Sequence, residues 1–223
     1  MNVLIVYAHH EPSSFTSAMK NLAVEVLSHQ GHNVVVSDLY GQGFNPAAQK
    51  WDFVTTSGNH FNYMLEQKHA ARLDYAFSPD IVGEIQKLRI AEIVLFVSPI
   101  WWFSVPAILK GWFDRVLAMG AAWDGGKIYN NGLLRGKQAM VIAGAGGPAD
   151  YYQVSGLHKA NINQILHPIN HGTLAFCGMN VHEPYVAMNV LGMDTASRAQ
   201  ALTELRFRLE HLVDSPTFLV RYG

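Results

Sequence analysis

Only one cysteine, Cys177, occurs in the 223 residues. That excludes an intramolecular disulfide and a cysteine-based zinc knuckle, and it fits a reducing compartment. Charged residues are scarce too, at 15%, while hydrophobic residues reach 49%. A globular chain usually carries about a quarter charged residues, so extensive burial or a subunit interface is implied. The 16 Lys and Arg do not outnumber the 17 Asp and Glu. Without a basic surplus there is little to hold a phosphate backbone or an anionic membrane, and nucleic acid is not an expected partner. No apolar run reaches the roughly 18 residues of a membrane span. The first apolar run, "VLIVYA" from Val3, lacks the basic flank and cleavage site of a signal peptide, so a cytoplasmic location is expected. The GxGxxG fingerprint and the Walker sequence are both missing, which disfavours an ordinary nicotinamide Rossmann site and a P-loop.

What is present is a strand and helix alternation. Five runs read as strands: "VLIVYA" from Val3, "NVVVSDL" from Asn33, "EIVLFVS" from Glu92, "QAMVIAGA" from Gln138 and "NVHEPYVAM" from Asn180. The first, third and fourth are nearly continuous in apolar residues, as suits parallel strands covered on both faces. Between them, residues 14–30 carry Phe15, Ala18, Met19, Leu22, Ala23, Val26 and Leu27 at helical spacing. Ser13 or Ser14 is available as N-cap and Gly31 as the stop. Further helices are expected from Ser78 and Pro79, from Pro106, over about 156–171 and over about 195–213. Alternation of this kind predicts a doubly wound α/β sheet of five parallel strands, order 2-1-3-4-5, with helices on both faces. Residues 1–223 read as one domain, with a long irregular loop over about 41–77 that covers a ligand or a partner subunit.

Ligands of open parallel sheets bind beyond the carboxyl ends of the strands, where strand order reverses. Three loops therefore matter. The first, "HHEPSSFTSA", opens a helix with free backbone N–H groups and the hydroxyls of Ser14, Thr16 and Ser17, an arrangement that suits a phosphate or ordinary capping. His9 and His10 read there as phosphate partners or plain loop residues. The second, "PIWWFSVP", offers Trp101, Trp102 and Phe103 as a flat wall for a planar ring, or as core or interface packing. In the third, "GAGG" at 144–147 lets backbone approach a ligand, and Tyr152 and His158 follow as donors to negative charge.

The ordered motifs "SDLY", "FNP", "FSPDIVGEIQKL", "WFSVPAILKGWFDRV", "RGK", the glycine pair followed by Tyr152, Gly156 and His158, "HPI", "FCG" and "EP" carry a resemblance over about Val3 to Pro216. In them the chain resembles the flavodoxin-like NAD(P)H quinone oxidoreductases of the DT-diaphorase type. The resemblance implies bound FAD, with FMN as the alternative, and a homodimer with sites at the subunit interface. It also implies ping-pong hydride transfer from NADH or NADPH to the flavin, followed by two-electron reduction of a quinone.

Carried onto this chain, the resemblance puts His9, Ser14, Phe15, Thr16 and Ala18 at the flavin pyrophosphate. Pro99, Ile100, Trp101, Trp102 and Phe103 lie against the isoalloxazine, and Gly144, Ala145, Gly146 and Gly147 run along its polar edge. Tyr152 and His158 match the charge-stabilising pair. Arg198 and Asp114 fall at the adenine end, and Asn62 stands near an expected flavin-contacting glutamine. Trp123 and Gly125 occupy the substrate wall, where tyrosines are the rule. Trp101 replaces a usual glutamine, and Gly144 and Ala145 replace two threonines. His171 matches one ligand of a relative's metal site, but Ala175 stands at the second, so no metal is expected. The same resemblance admits azo or nitro reduction, or a flavin-binding ancillary subunit of an ion-efflux system, as alternatives.

Overall fold

The computed structural model describes residues 1–73 and 76–218. Residues 74 and 75 of the expected loop, and 219–223 of the expected domain, lie outside the described residues. In chain order the elements are β1 (Asn2–Tyr7), α1 (Phe15–His29), β2 (Asn33–Asp38), α2 (Tyr63–Arg72), α3 (Pro79–Ile90), β3 (Ile93–Pro99) and α4 (Ala107–Val116). There follow β4 (Gln138–Gly144), α5 (Ile162–Ile169), β5 (Asn180–His182), β6 (Tyr185–Ala187), α6 (Thr195–Glu210) and β7 (Thr217–Phe218). The parallel order is β2-β1-β3-β4-β5, as expected, with β7 added antiparallel at the β5 edge.

Side chains alternate across the pleat, and that period divides the core in two. Val3, Ile5 and Tyr7 of β1 and Ile93, Leu95 and Val97 of β3 face α1 and α6. Leu4, Val6, Val94 and Phe96 face α3, α4 and α5 on the other side. Helices thus cover both faces, which is why the central strands are apolar throughout. None of the helices among the described residues is long and apolar enough to cross a membrane.

Three expectations change. The fifth run is two short strands, because Pro184 has no N–H to donate to the ladder. Gln138 faces Asn180 and Ile142 faces Tyr185, one residue further along, so the interruption is a bulge. The helix expected over 156–171 begins only at Ile162, behind a capping box of Asn161 and Gln164. It continues past Ile169 as a π-helical turn, Asn170–Ala175.

The third change matters most for the site. The segment expected to be irregular over 41–77 contains the ten-residue α2. Its inward side chains include Glu66 and Gln67, so hydrophobic periodicity is silent there. Buried polar bonds hold the segment instead. Asp52, fully buried, accepts from Arg115 Nη2 at 2.8 Å, Arg115 Nε at 3.1 Å and Tyr63 Oη at 2.6 Å. Arg115 also reaches Asp80 at 2.7 Å and the Asn45 carbonyl at 2.8 Å. Gly111 lets α4 touch the same stretch, since a Cβ there would meet the Pro46 carbonyl oxygen at 2.2 Å.

Candidate active site

The carboxyl ends of β1, β3 and β4 lie side by side: Pro99 pairs with Gly144, and Ile100 N–H donates to the Gly144 carbonyl at 2.8 Å. Beyond β3 the chain reverses in four residues. Trp101 and Ser104 exchange two backbone hydrogen bonds of 3.0 Å each, while Trp102 and Phe103 sit at φ 51° and 57°. Positive φ at both central positions is type I′ geometry, which favours Asn and Gly; an L side chain there costs about 1–2 kcal/mol. Strain of this kind persists at ligand sites when the surrounding fold enforces it. The turn does not bury its aromatics: Trp102 is 96% exposed, and Trp101 and Phe103 are also exposed. Core packing is therefore excluded for this cluster.

Beyond β4, Ala145 N–H donates to the Ala187 carbonyl and Val190 N–H to the Ala145 carbonyl, fastening the glycine loop to the turn after β6. A Cβ on Gly144 would stand 3.1 Å from Val190 and 3.9 Å from the Thr16 hydroxyl, a tight fit that only a shift of Val190 would relieve. A Cβ on Gly147 would stand 3.1 Å from the Tyr151 ring and 3.4 Å from that of Tyr152. The Tyr152 and His158 rings lie 4.9 Å apart, and His158 stands edge-on to Phe103, also at 4.9 Å. Gly156 makes the loop between them feasible, since a Cβ there would fall 2.1 Å from the Asp150 carbonyl oxygen.

At the β1 end, Ser14 caps α1, its hydroxyl accepting Ser17 N–H at 3.1 Å. The N–H groups of Phe15 and Thr16 have no acceptor within the helix. Thr16 is only 4% exposed, and its hydroxyl makes no hydrogen bond among the described residues. Ala18 N–H, by contrast, is used within the helix on the Ser14 carbonyl. His9 stacks on His10 at 4.9 Å; burial, with the neighbouring imidazole, lowers the His9 pKa. Glu11, exposed, accepts from the backbone N–H and hydroxyl of Ser13, which lower its pKa. Arg198 lies 5.3 Å over the Phe15 ring and donates to the carbonyls of Met193 and Val190.

These residues cluster at the carboxyl ends of β1, β3 and β4. Asn62, Asp114, Trp123 and Gly125 are placed differently. Asn62 caps α2, accepting Leu65 N–H at 3.3 Å, and Asp114 pairs with Lys110 on α4. Asp114 and Trp123 line a separate hollow of about 500 Å³, shared with Tyr63, Met64, Gln67 and Phe176. Gly125 belongs to the hairpin beside it. His10 packs between Trp101 and Tyr40, and Phe176, the first residue of the "FCG" motif, stands edge-on to Trp123 at 5.5 Å; of these, Tyr40 enters sequence reasoning only within a motif and with no role given. His171 stacks on His167 at 4.7 Å, and no group of three or more metal-ligating side chains occurs among the described residues.

Loops gathered at the carboxyl ends of parallel strands, with a capped helix start, a glycine-rich loop and an aromatic turn, are the arrangement of a flavodoxin-like fold. A family model described as a flavodoxin-like fold matches residues 1–209. The human ribosyldihydronicotinamide dehydrogenase [quinone] is 46% identical over 187 residues, covering 83% of this chain and 80% of that protein. The NAD(P)H dehydrogenase [quinone] 1 of Rattus norvegicus is 41% identical over 209 residues, 93% of this chain and 76% of its own. A crystal structure from Klebsiella pneumoniae, described as a candidate quinone reductase, superposes with a TM-score of 0.94 at 38% identity, covering 99% of this chain and 88% of its own. The chain belongs to the flavodoxin-like NAD(P)H quinone oxidoreductase family.

Proposed function

We propose that this protein is a flavin-dependent NAD(P)H:quinone oxidoreductase that binds FAD. The observation that carries the reading is the meeting of the strained Trp102 and Phe103 turn with His158 and Tyr152, beside Gly147 of the glycine loop. A bound flavin would supply hydride acceptance from a nicotinamide and two-electron return to a quinone, with the two substrates alternating at one face.

The chain's own residues have separate tasks. The Phe15 and Thr16 N–H groups, the Thr16 hydroxyl and His9 would hold the cofactor's phosphates at the positive end of α1. Arg198 and Phe15 mark the far end, where an adenine would lie, which supports FAD over FMN. Trp101, Trp102 and Phe103 would form the flat wall and exclude water. Tyr152 and His158 carry the donors that meet negative charge on a cofactor or acceptor oxygen.

A second copy of the chain would complete the site. Trp102 is too exposed for an apolar side chain at a water-excluding centre. The hollow of Trp123, Phe176 and Asp114 would face the ring of the neighbouring subunit, and a cytoplasmic homodimer is the assembly we infer. The test is the spectrum of the purified protein, identification of the released flavin, its bleaching by NADPH and recovery with a quinone, and the mass in solution. A colourless protein that takes up neither FAD nor FMN would sink the reading.

A further inference from the structure

The hairpin that carries Trp123 has little of its own to hold it. It turns through Gly125 and Gly126, the latter at φ 75°, and a Cβ on either would stand in open space. Two backbone bonds between Asp124 and Lys127, of 2.8 and 3.3 Å, close it. Trp123 itself is tied at both ends: its indole N–H donates to the Leu117 carbonyl at 3.1 Å, and its carbonyl accepts Gly120 N–H.

Leu133 N–H donates to the Ala122 carbonyl at 3.1 Å, and further ties come from α2. Gln67 donates to the Asp114 carbonyl at 2.8 Å and accepts Met119 N–H at 3.2 Å, which fixes the chain leading into the hairpin. Lys68, the next residue, reaches the hairpin directly, its Nζ 2.6 Å from Asp124 Oδ1. The same oxygen accepts Gly125 N–H at 2.8 Å. The two side chains are only 26% and 22% exposed, so the pair is less screened than an ordinary surface pair.

We propose that the Lys68 and Asp124 ion pair is the positioning device for electron-acceptor specificity, holding the Trp123 hairpin so that the indole and Phe176 keep a fixed wall for flat acceptors. The inference rests on the quinone reductase reading. Neither residue touches the acceptor; both act through Trp123. Lys68 and then the Gly125 N–H lower the Asp124 pKa, which favours its carboxylate form.

The experiment uses the flavin-loaded protein with NADPH and two acceptors, a one-ring benzoquinone and a two-ring naphthoquinone. Lys68→Met and Asp124→Asn, the latter still able to accept Gly125 N–H, are each expected to raise the naphthoquinone KM roughly tenfold with kcat within about twofold, a loss of binding rather than of chemistry. The benzoquinone KM should change less, and flavin content not at all. Lys68→Arg should restore the wild-type value, and the double variant should be no worse than either single one, since both remove the same interaction. An unchanged KM ratio, or parallel loss of kcat, flavin content and thermal stability, overturns the positioning role. A wild-type protein that reduces neither quinone overturns the functional reading itself, which separates the two failures.

Discussion

The imidazole of His158 stands edge-on to the ring of Phe103, centroids 4.9 Å apart at 82°. That contact joins the loop after β4 to the turn after β3. It sets a proton-bearing group against an aromatic wall, although the two residues are 55 positions apart in the chain (158 − 103).

If His158 and Tyr152 meet developing charge, His158→Gln and Tyr152→Phe should each slow flavin reduction by NADPH roughly ten- to a hundredfold, within the usual span of general acid–base effects. Flavin occupancy should be unchanged. Stopped-flow reduction at saturating NADPH checks this, and wild-type rates in both variants would remove the assignment.

Trp102 has two separable roles. In the proposed site its ring would lie against the flavin, and its backbone holds φ 51°. Trp102→Ala should lose flavin on dilution or gel filtration. Trp102→Gly should lose it equally, yet unfold about 1 kcal/mol later in urea than the alanine variant, because glycine accepts the left-handed backbone without the side-chain penalty. Equal stability of the two variants would show that the turn is unstrained.

Arg115 anchors the segment leading to α2. Arg115→Met strands the buried Asp52 carboxylate and should destabilise the protein by about 3–5 kcal/mol. Asp80 gives the pH signature. Burial alone would raise the Asp80 pKa, but Arg115 and then Ser78 lower it overall. A carboxylate with a lowered folded pKa contributes stability that is present above its unfolded value, about 3.9, and is lost as pH falls through the folded one. The stability gap between wild type and Asp80→Asn, from urea titrations, should be constant near neutrality and close as pH drops below about 4. A gap that widens in acid would contradict this.

Cys177 lines the acceptor hollow but is almost fully buried, and burial pushes its thiol up to about 12. The native protein should leave a thiol reagent unconsumed at pH 8, and the unfolded protein should react once per chain. Fast labelling of the folded form would place the thiol at the surface.

The strand runs, a serine cap of α1 at Ser13 or Ser14 and the loops bearing Trp102, Gly144 and Tyr152 were legible because apolar runs and glycine positions are local properties, and the order 2-1-3-4-5 followed from the doubly wound alternation they imply. Helix α2 was not, since its inward Glu66 and Gln67 are polar and held by hydrogen bonds, to Ser57 in the preceding loop and to the distant Asp114 carbonyl, which no hydrophobic periodicity records. The break at Pro184 was readable in principle, but the bulge it causes depends on the neighbouring strand.

The sequence by itself determined that an aromatic loop and a glycine loop follow β3 and β4, because residue type and strand order fix which loops converge. Tertiary structure alone decided that Trp102 points outward from a strained turn. It also sent Asn62, Asp114, Trp123 and Gly125 to a second surface, and left that surface's wall hanging on Lys68 and Asp124. These outcomes depend on backbone angles and on partners 35 to 63 residues apart, such as Asp80 and Arg115, Lys68 and Asp124, and Asp52 and Arg115, and those are set only when the sheet brings its loops together.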